Sequence, residues 1–335
     1  MPLPLTLLRQ LQAASPGKAW ASLFEHAWNT CSAPLPPEKA SSEVTKRDAE
    51  LGVADLFLAT AGWDLWYSYE AVVPRTADVL ASWWAERGAG RAVLVLDALS
   101  LREVPWLLKG AADRGYTVHQ SRVTGAELPA NTQPFAAALG YMSRSSLQNN
   151  GGAGKGRLTG AVTDSTDLPW EDCAAQINAA QDWLLWHHWP DERLHDLGAP
   201  GHGLATLAKE AAEKLSSDGF WGIVHALTTG RRLIITADHG YAASGHFHDT
   251  PDPAQARYLK DRLKSGRWSV SAELEPGNWV PPLTLHLKTA HADAALALGR
   301  RKWKSQGGYP TLTHGGLSLL EVAVPFIELS RTGGA

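Results

Sequence analysis

Residues 92–97 read Ala-Val-Leu-Val-Leu-Asp, and residues 232–240 read Arg-Leu-Ile-Ile-Thr-Ala-Asp-His-Gly. Each is a short apolar run that ends in an acid. A continuous apolar run of this length, bounded by turn residues, reads as a strand buried on both faces, as in a parallel sheet covered by helices. Helix-like stretches of ten or more residues separate such runs, and this alternation builds βαβ units. The expected fold class is therefore α/β, a mainly parallel sheet flanked by helices on both faces. Chemistry in such sheets gathers at the carboxyl ends of the strands, where Asp97 and Asp238 stand.

Working outward, residues 101–115 read as a helix, 117–123 as a second strand and 322–329 (VAVPFIEL) as the last strand. Further helices are expected at about 133–141, 171–186 and 204–227. Residues 241–287 carry the alternating strings SVSAEL and PPLTLHL, which predict a small antiparallel insertion near the site. Upstream, the Pro-rich string SAPLPPEKAS at 32–41 separates two helical stretches, so residues 1–85 are expected to form an N-terminal helical segment and 86–335 the main domain. Residues 1–15 read as a short amphipathic helix; Pro2, Pro4 and Arg9 interrupt what could otherwise be an export signal. No run approaches the eighteen or so apolar residues of a membrane span, and a cytoplasmic location is expected.

The length of 335 residues allows about two domains, or one large domain with an appendage. Lys and Arg total 31 against 34 Asp and Glu, a net charge of −3, which argues against binding nucleic acid by bulk positive charge but leaves a local basic cleft open. The two cysteines, Cys31 and Cys173, provide no disulfide framework. The 15 tryptophans, among them Trp66, Trp83, Trp84, Trp183, Trp186 and Trp189 in helix-like stretches, are expected to pack rather than to stack on bases.

Six residues could ligate metal. Asp238 and His239 stand side by side at a strand end, and Asp191 and His195 share one helical face at i, i+4 spacing. His314 lies before two glycines that let the backbone present the ring, and Asp97 adds a third carboxylate. Together they suffice for two adjacent divalent ions. Taken singly, each has a plain alternative: a hydrogen-bonded strand-end histidine, a solvated helix face, and for Thr132 a helix N-cap.

The strings VLVLDAL, LPANTQPFAAALG, LWHHWPDERLH, LIITADHG and THGGLSLLEVAVPFIEL, in this order, resemble the alkaline phosphatase superfamily and within it the PglZ domain family, over about residues 88–332. The resemblance implies an alkaline-phosphatase-like fold and a two-metal phosphoesterase, with Asp97, Asp238 and His239 holding one ion and Asp191, His195 and His314 the other. It implies zinc, with manganese or magnesium as alternatives, and Thr132 as the nucleophile, preceded by Asn131 as a substrate contact. An Arg common in the family just after the nucleophile is missing, and Arg144 is the substitute. Relatives often carry Asp at the place of His195 and Arg at the place of Ser100; His202 is the fallback ligand.

The function expected on this basis is hydrolysis of a nucleotide or nucleic-acid phosphodiester through a Thr nucleophile and two divalent metals, in bacterial anti-phage defence of the BREX type with other defence proteins as partners. The alternatives are a phosphomonoesterase or phosphomutase on a small metabolite, and a non-catalytic defence subunit that binds nucleotide or protein. Three weaker strings are read as structural. Residues 151–156 lack the first Gly and the Ser or Thr of a P-loop. His246 and His248 lack the continuation of an H-x-H-x-D-H metal string, and Ser100 is a helix cap.

Overall fold

The computed structural model describes residues 3–86, 88, 90–197, 203–270, 277–305 and 311–331. Five helices come first: α1 (Leu5–Ala13), α2 (Pro16–Cys31), α3 (Ala40–Thr60), α4 (Tyr69–Val72) and α5 (Thr76–Ala85). Strand β1 (Gly90–Leu96) follows, then α6 (Val104–Asp113), β2 (Tyr116–Gly125), α7 (Thr132–Ala138), β3 (Val162–Thr166), α8 (Trp170–Gln176), β4 (Trp183–His187) and α9 (Asp191–Asp196). Next come α10 (Gly203–Ser216), α11 (Asp218–Thr228), β5 (Arg231–Thr236), α12 (Pro253–Leu263), β6 (Trp268–Val270), β7 (Thr284–Lys288), β8 (Asp293–Ala297), α13 (Leu319–Val322) and β9 (Ala323–Arg331).

Six strands form one sheet in the order β2-β9-β5-β1-β4-β3. β3, β4, β1 and β5 pair in parallel, and β9 runs antiparallel to both β5 and β2. Side chains alternate across a strand, and the two faces of β1 show what that does: Ala92, Leu94 and Leu96 pack with α2, α3, α6, α10 and α11, whereas Val93 and Val95 pack with α5 and α7. Every residue of β1 is buried. Helices thus cover both faces, and buried side chains of α2 and α3 such as Leu23 and Leu51 belong to the same core as the sheet. Trp66, Trp83, Trp84, Trp183, Trp186 and Trp189 are all buried.

The stretch expected to be one helix over 171–186 divides instead into α8 and the strand β4. Its Trp-Leu-Leu-Trp-His run is buried on both faces between β1 and β3, and periodicity cannot tell such a strand from a buried helix. β3 is likewise a strand that the sequence reading lacks. The helical stretch 204–227 is broken at Ser217, whose hydroxyl accepts from Phe220 N at 3.2 Å and starts α11 as its N-cap. The antiparallel insertion is the three-stranded sheet β6-β8-β7 beside α12; part of SVSAEL lies outside the described residues. No helix among the described residues is long and apolar enough to cross a membrane. Cys31 and Cys173 are free and buried.

Candidate metal centre

The strands deliver their acids to one end of the sheet. Asp97 ends β1, the central strand, and Asp238 and His239 follow β5 beside it. β4, on the other side of β1, leads through His187 to α9, which opens with Asp191 and carries His195 one turn later. The loop after β2 brings Thr132, and the loop before α13 brings His314. The six ligand-type residues fall into two sets, Asp97 with Asp238 and His239, and Asp191 with His195 and His314. The sets adjoin, because the rings of His239 and His314 stack with centroids 4.2 Å apart.

Within the first set, His239 Nε2 lies 3.3 Å from Asp238 Oδ2 and 3.7 Å from Asp97 Oδ1. Within the second, His195 Nε2 and His314 Nε2 each lie 3.5 Å from a different oxygen of Asp191. His239 Nδ1 donates to Gly240 O at 2.9 Å and His314 Nδ1 to Ala130 O at 3.3 Å, which leaves each Nε2 lone pair facing inward, the arrangement seen in metal-ligating histidines. Asp97, Asp238 and His239 are completely buried, whereas His195 is largely exposed.

Electrostatics set the demand for a cation. Burial, then the facing charges of Asp238 and Asp191, push the Asp97 carboxyl far up, while Arg144 opposes. Arg144 reaches in from residues 144–150 to pair with Asp97, and Trp186 Nε1 donates to the same oxygen at 3.1 Å. Although burial opposes it, the hydrogen bond with His195 and the nearby imidazoles hold Asp191 below the usual carboxylate range. Burial brings His314 down to about 3, and the hydrogen bond to Asp191 moves His195 up. Asp191 Oδ1 and Asp238 Oδ2 are buried without a hydrogen-bond donor among the described residues. Three carboxylates, two of whose oxygens are unsatisfied, and the inward Nε2 lone pairs of His239 and His314, with the His195 ring beside them, fit a pair of borderline divalent ions better than they fit a hydrogen-bonded cluster.

Thr132 Oγ1 lies 3.4 Å from Asp97 Oδ1 and 3.5 Å from His239 Nε2. The capping alternative fails here: Thr132 is the first residue of α7, the N-cap is Asn131, and no side chain caps the helix. Asn131 is half-buried next to it. Ser100, by contrast, is a cap, with its hydroxyl accepting from Arg102 N and Glu103 Oε2 accepting from Ser100 N at 2.8 Å. His187 is bonded to Leu168 O and Trp189 N, His188 to Ser165 and Glu192, and His246 and His248 are exposed. The fallback ligand His202 lies outside the described residues.

Backbone and second-layer contacts fix the loops. Ala98 takes a left-handed φ of 62°, which costs about 1–2 kcal/mol for a residue with a Cβ and directs its N–H onto Asp238 Oδ1 at 2.9 Å. A Cβ at Gly240 would meet Leu320 O at 2.2 Å, and Gly315, at φ +105°, would meet the Trp268 ring at 2.3 Å. A buried ionic network that the sequence did not show braces both loops. Asp48 of α3 takes Arg102 and Arg300, and Arg102 donates to Tyr241 O at 2.9 Å, two residues past His239. Asp55, seven residues further along α3, takes Arg300 Nε at 2.8 Å and the Leu319 N–H at 2.7 Å. Only the polar residues on an otherwise apolar helix face could have hinted at it.

No family model matches the chain, and no curated protein matches it. Among solved structures it is distantly similar to an inactive variant of murine ectonucleotide pyrophosphatase/phosphodiesterase 5 in complex with AMP, at 15% identity over 73% of this chain and 88% of that one, with a TM-score of 0.41. It is similar also to the human ectonucleotide pyrophosphatase/phosphodiesterase 5, at 11% identity over 72% and 88%, with a TM-score of 0.44.

Proposed function

We propose that this chain is a metal-dependent phosphoesterase of the alkaline phosphatase superfamily, PglZ-like, with residues 86–335 as its catalytic domain and a nucleotide or nucleic-acid phosphodiester as its substrate. The observation that carries the reading is the convergence of Thr132 with two adjacent Asp/His sets at the carboxyl ends of β1, β4 and β5. Asp97, Asp238 and His239 would hold one divalent ion and Asp191, His195 and His314 the other. Bound there, the ions would supply Lewis-acid stabilisation of the phosphoryl oxygens and of the Thr132 oxygen.

The chain's own groups do the rest. Thr132 Oγ1 is presented on the first turn of α7 and attacks phosphorus in line; the bond to the leaving alcohol breaks, and water then hydrolyses the phosphothreonine. The Thr132 hydroxyl faces Asp97 Oδ1 at 3.4 Å, which orients it within the site, and its proton passes to solvent water. Arg144, in place of the family's missing Arg, offers a forked donor to the non-bridging phosphoryl oxygens once it leaves Asp97. Asn131 flanks the nucleophile and offers an amide to the same oxygens. A BREX-type defence setting rests on the PglZ-like strings alone.

The test is hydrolysis of bis-p-nitrophenyl phosphate by zinc- and manganese-loaded protein beside a chelator-treated control and p-nitrophenyl phosphate. Diester turnover that disappears with the chelator is expected. Monoester turnover alone would move the substrate to a phosphomonoester, and no turnover by protein that has bound metal would overturn the general phosphodiesterase reading.

A further inference from the structure

Charge is distributed unevenly along this chain. Residues 257–304 contain ten Lys and Arg against four Asp and Glu, a net of +6, so the remainder of the chain, at −3 overall, carries −9. Three of the ten are held inside the fold, Arg300 by Asp48 and Asp55, Arg267 by Glu321 and Arg262 by His286. Arg257, Lys260, Lys302 and Lys304 line a groove of about 380 Å³ together with Asp249 and Asp261. Lys302 neutralises Asp249 at 3.3 Å. That leaves Arg257, Lys260 and Lys304, all exposed, against the single charge of Asp261, and no ion pair takes any of the three among the described residues.

The groove adjoins a small pocket that borders the loop carrying His314. A second, narrow cleft shares Lys302 and Trp303 with it and is bounded by Arg301, Ser244 and Thr313, the residue before His314. The backbone makes the same connection: Thr250 N bonds Lys302 O, and Ala242, three residues past His239, pairs with Thr313. Arg301 has a buried Nε with no partner among the described residues, and burial lowers its pKa. A half-buried cation with no acid beside it among the described residues, on the loop next to a proposed phosphodiester site, suits an anion that arrives with the substrate.

Resting on the phosphodiesterase reading, we infer that Arg301, Lys304, Lys260 and Arg257 form a track for the phosphates of a single-stranded nucleic acid whose scissile diester lies at Thr132. The substrate is thus a strand rather than a lone nucleotide. A duplex is disfavoured by the negative charge of the rest of the chain. An acidic peptide would have no reason to run from this groove to the metal centre.

Fluorescence anisotropy of a labelled dodecathymidylate with the full-length protein, across a potassium chloride series, tests the track. Four cations on a single strand give a log–log salt slope of about −3. Lys260→Glu with Lys304→Glu should weaken binding at least about tenfold and reduce the slope by roughly 1.4; the two Gln variants lose the same two cations and should reduce the slope similarly with a smaller loss of affinity, melting temperatures being unchanged. Equal binding by wild type and the Glu double variant would overturn the inference, as would polyglutamate binding as tightly as the strand. Bis-p-nitrophenyl phosphate reports on the metal centre alone. Turnover of it by a wild-type protein that binds no strand would remove the track and leave the phosphodiesterase reading standing. Strand binding without turnover would do the reverse.

Discussion

At the scale of single residues, Thr132 is the sharpest point of the site, because its hydroxyl faces Asp97 and His239 instead of capping its helix. Thr132→Ala should therefore lower diester turnover by roughly three orders of magnitude or more, as removal of a nucleophile does, while the zinc content measured by atomic absorption stays near wild type. Thr132→Ser should retain measurable turnover; an alanine variant as active as wild type would assign the attack to water. His187 makes a second prediction, on stability. It is buried, its ring accepts from Trp189 N and donates to Leu168 O, and burial brings its pKa down to about 4. Between that value and the unfolded value near 6.5, the unfolded chain takes up a proton that the folded ring refuses. Its contribution is whole above pH 6.5 and is lost as pH falls toward 4, to the extent of about 3 kcal/mol. Urea unfolding of His187→Gln at pH 7 and pH 5 should show a smaller acid loss than wild type. The ligand-type residues were legible because Asp97, Asp238 and His239 stand at strand ends, Asp191 and His195 at i, i+4 spacing and His314 before two glycines. Trp186 as a partner of Asp97 was not, because its position was read as helix.

At the scale of elements, the same physics explains what the sequence revealed and what it hid. β1 and β5 could be read because an apolar run closes on an acid, whereas β4 opens on Trp183, closes on Trp186 and His187 and has no turn signal before it. The α3 buttress was invisible for another reason: Asp48 meets Arg102 and Arg300, 54 and 252 residues away, and no local pattern encodes such pairs. Two arginines hold the Asp48 carboxyl down to about 2 against the effect of burial. Breaking a buried pair by removing one charge costs roughly 3–5 kcal/mol. Asp48→Asn should lower stability on that scale and, through Arg102 and Tyr241, weaken metal binding as well. Leu51→Ala, a core truncation on the same helix costing about 2–5 kcal/mol, supplies the control. Isothermal titration with zinc should show weaker binding for Asp48→Asn than for Leu51→Ala at matched stability; equal affinities would make α3 a packing element only.

For the whole molecule, the site opposes the fold that carries it. Two apolar clusters clamp the sheet from both faces, and at its carboxyl end the fold gathers three buried carboxylates, with Arg144 as the cation that reaches them. Like charges held together in a desolvated pocket repel, so the metal-free protein is less stable than its core would allow. A divalent ion present at a hundred times its dissociation constant adds about 2.7 kcal/mol, which for a chain of 335 residues amounts to a rise in melting temperature of about 4 °C. Asp238→Asn separates the two effects. The amide keeps an oxygen for Ala98 N and puts an N–H where Asp238 Oδ2 now has no donor. The metal-free variant should melt at or above the metal-free wild type, and the zinc-dependent rise should shrink or vanish. Calorimetry of both proteins with and without zinc reads all four values. A variant that melts lower than wild type without metal and still gains the full rise with zinc would mean that Asp238 supports the fold and is not a ligand.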